Sequence, residues 1–260
     1  PYVRGEVDSP NAKGYVGYML RGFVRAHDTA PNELRHDFRA LGDLALGTPQ
    51  LRLSSTAYLF DVNSSPFLVN AADPSATPSA NRVRYKRFDI SPYYVGQAGS
   101  TEYQVRYRAL VADDLVPGVR STDHALSAFV RSGDTGAPLG WATTGQVNRR
   151  IFENDYQYGY ASFATTVYVP LGRDARFGVS ANYAKVDIVL DSRGRNHGWG
   201  PGLAFDWVPS DRTALTLVAA RQYYGGTGSL RFVHRSPTWT VGLNAHRQLL
   251  TSSDSSIVYL

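Results

Sequence analysis

From Thr101 to Val111 the chain alternates with a period of two. Tyr103, Val105, Tyr107, Ala109 and Val111 interleave with Glu102, Gln104, Arg106, Arg108 and Leu110. In an extended strand these two sets face opposite sides, one apolar and one mostly polar, whereas a helix would scatter both around its circumference. The pattern recurs. Tyr18, Leu20, Gly22, Val24 and Ala26 alternate with Met19, Arg21, Phe23 and Arg25. Leu51, Leu53, Ala57 and Leu59 alternate with Arg52, Ser54, Thr56 and Tyr58. Phe177, Val179, Ala181 and Tyr183 alternate with Arg176, Gly178, Ser180 and Asn182, and Leu203, Phe205 and Trp207 with Gly202, Ala204 and Asp206. Trp239, Val241, Leu243 and Ala245 do the same against Thr238, Thr240, Gly242, Asn244 and His246. Between 81 and 95 the phase changes, which predicts a bulge. Between Tyr156 and Val169 the tyrosines Tyr156, Tyr158 and Tyr160 fall on one face and Phe163, Val167 and Val169 on the other.

These segments predict about 13 strands of ~10 residues, a length that crosses a bilayer when tilted and exceeds the ~5–6 of ordinary globular strands. They lie near 15–27, 35–46, 50–60, 84–95, 101–111, 122–131, 139–151, 156–169, 175–187, 198–208, 213–223, 229–235 and 238–249. Every second connection is short and turn-like: 47–49, 96–100, 171–174, 209–212 and 236–237. Others, such as 61–83, 112–121 and 189–197, are longer, although 152–155 and 225–228 break the rule. Short periplasmic turns alternating with long outer loops are the mark of an outer-membrane barrel. The expected fold is therefore all-β, an antiparallel transmembrane β-barrel of about 14 or more strands. Residues 1–14 are expected to form a periplasmic segment and 15–260 the barrel, with its last strand cut short at Leu260.

Composition narrows this further. No window approaches ~18 uninterrupted apolar residues, so a membrane-spanning chain of this kind has to cross with strands. With no cysteine, disulfides and thiolate metal sites are excluded. The basic side chains are almost all arginine, Lys13, Lys86 and Lys185 being the lysines, and the net charge of +5 suits an anionic partner. The segment from Pro1 to Lys13 has no charged start followed by an apolar core, so the sequence reads as mature or truncated.

Three stretches carry a family resemblance: ISPYYVGQAGSTEYQVRYR at Ile90–Arg108, GPGLAFDWVPSDRTAL at Gly200–Leu215, and FVHRSPTWTVGLNAHRQLLTSS at Phe232–Ser253. They resemble the outer-membrane β-barrel family associated with exosortase and PEP-CTERM systems. The resemblance implies an outer-membrane location and a role in envelope polymer export, since that family lies beside exopolysaccharide-production and protein-sorting genes. It implies no catalytic residue and no cofactor. Members are longer than this chain.

Candidate chemistry centres on arginines of the presumed inner face: Arg21, Arg25, Arg35, Arg39, Arg52, Arg106, Arg108 and Arg176. A wall of guanidinium groups attracts anions and focuses the field in a pore, which predicts pore-lining residues that favour small anions or acidic polysaccharide. The plainer reading is that they pair with Asp37, Asp43, Asp89 and Glu102 and hold neighbouring strands together. Tyr93, Tyr94, Tyr156, Tyr158, Trp199, Trp207, Tyr223, Tyr224 and Trp239 lie near strand ends, where membrane-interface girdles belong. His27, His36, His124, His197, His234 and His246 show no metal-ligand spacing. Ser121, Asp123 and His124 are the residue types of a hydrolytic triad, yet adjacency in sequence is not a triad and no Gly-x-Ser-x-Gly elbow is present. Gly198, Gly200 and Gly202 miss the dinucleotide fingerprint and read as small residues at a crowded inward position. Tyrosine and arginine interleave at Tyr103–Arg108 but on opposite faces, so no nucleic-acid platform forms.

The sequence thus predicts a non-enzymatic passage protein, porin-like and linked to exopolysaccharide or other envelope polymer export. Its expected partners are outer-membrane lipid, lipopolysaccharide, envelope-complex proteins and anionic polysaccharide. The rival is a scaffolding barrel that anchors periplasmic or extracellular machinery without conduction.

Overall fold

The computed structural model describes residues 1–23, 33–63, 82–113, 120–132, 139–153, 156–187 and 196–247. Among them the chain is all-β. β1 (Tyr2–Asp8), β2 (Ala12–Phe23), β3 (Glu33–Leu46), β4 (Thr48–Asn63) and β5 (Arg82–Ala98) are followed by β6 (Thr101–Asp113), β7 (Arg120–Ser132), β8 (Gly140–Phe152) and β9 (Gln157–Pro170). β10 (Ala175–Val186), β11 (His197–Ser210), β12 (Thr213–Gln222), β13 (Gly225–Arg235) and β14 (Thr240–Arg247) complete the order. They form one 14-stranded antiparallel sheet in which every strand neighbours its sequence neighbours, with β1 and β14 at its edges. No described helix is long and apolar enough to cross a membrane.

All thirteen strands expected from periodicity are present as β2 to β14. The fourteenth corrects the expectation of a segment preceding the sheet. Tyr2–Asp8 pairs with Lys13–Met19 as β1. The cause is legible afterwards: Val3, Gly5 and Val7 alternate with Tyr2, Arg4, Glu6 and Asp8, and residues 9–11 close a tight turn in which Ser9 N donates to Ala12 O at 2.8 Å. A meander places alternate connections at opposite ends. One end carries short turns at 9–11, 47, 99–100, 171–174, 211–212 and 236–239, while short connections at 153–156 and 223–224 lie at the other. At the first of these ends Gly47, Gly99 and Gly172 hold positive φ, of 77°, 59° and 84°, a conformation that side-chain-bearing residues rarely adopt.

The bulge expected between 81 and 95 does not occur against β4. The β4–β5 register runs without interruption from Leu51↔Tyr94 to Asn63↔Arg82. The apparent change of phase comes from Arg84 and Lys86, which stand on the same face as Phe88 and Ile90 but at the far end of the strand. Register shifts occur instead at Ala45/Leu46 and at Trp207/Ser210, beside short turns.

The chain divides into two compact units. Unit 1 comprises Pro1–Tyr94, Arg106–His124 and Arg150–Gln157; unit 2 comprises Val95–Val105, Ala125–Arg149 and Tyr158–Leu260. In unit 1 the registers put Arg39, Asp43, Arg52, Ser54, Thr56, Asp89 and Ser91 on one face, and Val16, Leu20, Phe38, Leu44, Leu53, Leu59, Phe88 and Ile90 on the other. In unit 2 one face carries Thr166, Gly178, Ser180, Asn182, Gly200, Gly202 and Ala204, and the other Val167, Phe177, Val179, Leu203, Phe205, Leu217 and Leu243.

Burial of these faces is inverted relative to a water-soluble sheet. The exposed side chains include Val179 at 55%, Leu203 at 51% and Trp199 at 65%. Asp123 is fully buried, at 0%, and Ser91, Ser121, Asn182, Arg35 and Arg150 are buried as well. The buried apolar residues are few and mostly small: Leu110, Ala112, Ala184, Val186 and Ala204. Scattered exposed apolar residues are ordinary, but rows of exposed apolar side chains on one face of a sheet whose other face buries charge are not.

Candidate functional site

The polar face of unit 1 holds the densest chemistry. β3 brings Asp37 and Asp43, β4 brings Arg52, and β5 brings Asp89, Ser91 and Tyr93. Arg52 lies directly opposite Tyr93. Arg52 is ion-paired to Asp43, and the Tyr93 hydroxyl donates to the other Asp43 oxygen at 2.7 Å. Arg106 of β6 stacks over the Tyr93 ring at 4.3 Å. Its neighbour two residues on, Arg108, lies between two aspartates, 3.8 Å from Asp89 and 3.9 Å from Asp123. Ser91 donates to Asp89 at 3.3 Å, and Arg150 donates to the Ser121 hydroxyl at 2.8 Å. Further along β3 from the short turn at 47, Asp37 is shared by Arg21 at 3.6 Å and Arg39 at 3.4 Å.

The sequence-chosen arginines are thereby placed. Arg21, Arg35, Arg39 and Arg52 share the polar face by register, with Arg21 directly opposite Arg35. Arg106 and Arg108 join them through Tyr93 and Asp89. Arg176 belongs to unit 2, where it donates to Asp206 at 2.8 Å and covers the Tyr168 ring at 4.3 Å. Arg25 lies outside the described residues. The pairing with Asp37, Asp43 and Asp89 is present, but Glu102 pairs with Arg131 at 2.6 Å.

Periodicity missed Arg87, Arg150, Asp123, Ser91 and Ser121. Arg87 lies opposite Tyr58 on the polar face, inside the stretch whose phase seemed to change. Arg149 and Arg150 are adjacent, and the contact with Ser121 shows that Arg150 is the one on the polar face. Among the described residues arginine outnumbers aspartate here: Arg87 and Arg150 add to the six, against Asp37, Asp43, Asp89 and Asp123. A buried guanidinium left without a partner is costly, so each pairing holds neighbouring strands in register. The surplus cations give the face a positive potential.

Ser121, Asp123 and His124 do not form a triad. Ser121 and Asp123 are buried on the polar face, while His124 is exposed on the other, its Nδ1 2.7 Å from the Tyr107 hydroxyl. His36 makes the same bond to Tyr18 at 2.7 Å. No group of acids and histidines able to hold a metal occurs among the described residues.

The expected aromatic girdle divides. Tyr94, Trp199, Trp207 and Trp239 are exposed, as a girdle requires. Tyr93 instead faces the polar side, committed to Asp43. Tyr158 and Tyr160 share the polar row of Ser162 and Thr166, and Tyr223 and Tyr224 occupy the turn between β12 and β13. Tyr224 stands outside the strands. Burial, then its neighbours Tyr160, Tyr223 and Tyr158, push its hydroxyl up to about 12. The crowding expected at the glycines is present on the polar face: Cβ atoms on Gly198, Gly200 and Gly202 would collide with Tyr223, the Arg221 carbonyl and Ser180.

Compared with known proteins, the sequence matches no family model, and no curated protein is significantly similar to it.

Proposed function

We propose that this chain is an outer-membrane β-barrel protein whose apolar face meets lipid and whose arginine-rich face lines a wet interior that passes anionic solutes or an acidic envelope polymer. The observation that carries this reading is the inverted burial: Val179, Leu203 and Trp199 are exposed while Asp123, Ser121 and Asn182 are buried. Lipid makes that arrangement favourable and water makes it costly. Long strands and the alternation of short and longer connections support it. The three segments that resemble the exosortase-associated family fall at strand–turn–strand units: β5–β6, β11–β12 and β13–β14. An association with exopolysaccharide export and protein sorting rests on that resemblance.

Purified protein in a planar bilayer tests the passage. Stable open steps with a preference for anions are expected. Arg106→Gln with Arg108→Gln shifts the reversal potential toward cations. Arg39→Gln, a half-exposed position that folding tolerates, shifts it in the same direction by less. Unchanged selectivity in both defeats the arginine lining.

A second reading has its own support. Asp37, Asp43, Asp89 and Asp123 are each engaged by arginine, as in a wall built for rigidity. A scaffolding barrel that anchors envelope machinery without conduction gives no open steps in the same recording.

A further inference from the structure

The polar face of unit 2 carries an aromatic cluster where a wet wall has no general need of one. On β11 Gly198, Gly200 and Gly202 form a strip without side chains, and their β10 partners Ala184, Asn182 and Ser180 are small as well. A Cβ on Gly198 would stand 2.8 Å from Cβ of Tyr223, and one on Gly200 would run into the Arg221 carbonyl. The end of β12 therefore lies over this strip, and β12 also touches β10, two strands away. Gly225, with φ of 139°, begins the return strand. The turn thus sets Tyr223 against Gly198, with Tyr224 edge to face with it at 5.0 Å. Tyr160 of β9 is on the same face, opposite Val186, and Tyr158 follows it one step toward the strand end. Tyr224 is near enough to both for their ionisation at high pH to oppose its own.

Interface girdles occupy the lipid side of a barrel, so these rings answer to something else. A phenol offers a flat apolar face and a hydrogen-bonding edge. A pyranose ring offers the complement: axial C–H groups on its faces and hydroxyls around its rim. Small inorganic anions have no use for such a surface.

We propose that Tyr158, Tyr160, Tyr223 and Tyr224 form a binding site for the sugar rings of a polysaccharide lying along the polar face. This deepens the passage reading, and its place in a lumen rests on that reading. Recognition works through ring faces, so it extends to neutral and acidic chains alike.

The test titrates the purified full chain in detergent with maltohexaose and with a hexameric oligogalacturonate, read by saturation-transfer NMR. Both are expected to bind, with saturation strongest at ring-face protons. Tyr158→Phe retains binding. Tyr158→Ala and Tyr224→Leu weaken it by about tenfold, the loss of one aromatic contact. Circular dichroism on each variant confirms that the strands are intact, and Tyr224→Leu conserves apolar bulk should the alanine variant fail to fold. Absence of binding by both sugars, or equal binding by Tyr224→Leu, overturns the proposal. The titration needs no conduction: a chain that conducts but ignores both sugars loses this site alone, and a silent chain that binds them loses passage alone.

Discussion

Tyr93 shows how a single side chain can be read wrongly from its position and rightly from its partners. Near a strand end it suggests a membrane girdle, yet its hydroxyl is given to Asp43 and its ring to Arg106. A hydrogen bond to a charged group contributes about 1.5–3 kcal/mol when enclosed, and partial exposure lowers this. Tyr93→Phe is therefore expected to cost about 1–2 kcal/mol, measured as a fall in the urea midpoint of the refolded protein. Gly200 is a stricter case, because the atom in the way is a backbone carbonyl. Gly200→Val is expected to destabilise by about 1–3 kcal/mol or more and to displace the β12–β13 turn, visible as changed Tyr224 fluorescence or NMR shifts. Tyr224 gives a pH prediction. Its folded-state hydroxyl titrates at about 12, above the ~10 of an unfolded tyrosine. The raised value favours the protonated folded state, so its contribution is whole below about pH 10 and is lost as pH climbs toward 12. Ultraviolet difference titration should show a late-ionising tyrosine that Tyr224→Phe removes.

At the scale of the strand, the decisive quantity is which face meets which solvent. Leu203 of β11 is half exposed, so in water an arginine there would be nearly neutral. In lipid the same change costs about 2–4 kcal/mol near the bilayer midplane. Leu203→Arg is therefore expected to lower refolding yield and stability in bilayers, whereas wild-type-like stability would point to a water-facing row. Alternation made most strands legible because a period of two survives any tertiary context that keeps one face apolar. β10 and β11, where Val179, Leu203 and Phe205 interleave with glycine, serine and asparagine, were plain in the sequence. β1 was not, because its seven residues are short and its charged row resembles a solvated leader. The phase of β5 was obscured by Arg84, paired to Asp61 at 3.2 Å, which places charge on the apolar face near the strand end. The ion-pair network was half legible: alternation assigns Arg106 and Arg108 to a face but is silent on register, and register decides that Asp89 meets Arg108. The folded-over turn of β12 was legible only as crowding at Gly198, Gly200 and Gly202, with nothing in the sequence to say what crowds them.

For the molecule as a whole, fourteen antiparallel strands in sequence order among the described residues make every strand pairing a neighbour-to-neighbour one, so each strand needs only a turn and an alternating pattern to find its place. Closure would remove the remaining edges, and lipid would cover the apolar faces. Such a body should partition into detergent and migrate on gels according to whether it has been heated. The absence of cysteine permits a direct test. Single cysteines placed in turn at 199–207 on β11, spin-labelled and reconstituted in bilayers, report collision with oxygen, which concentrates in lipid, against a water-soluble nickel chelate. Oxygen access peaking at 199, 203, 205 and 207, with nickel access peaking at 200, 202, 204 and 206, is the predicted result. A uniform preference for the nickel chelate along the whole strand would contradict the membrane reading.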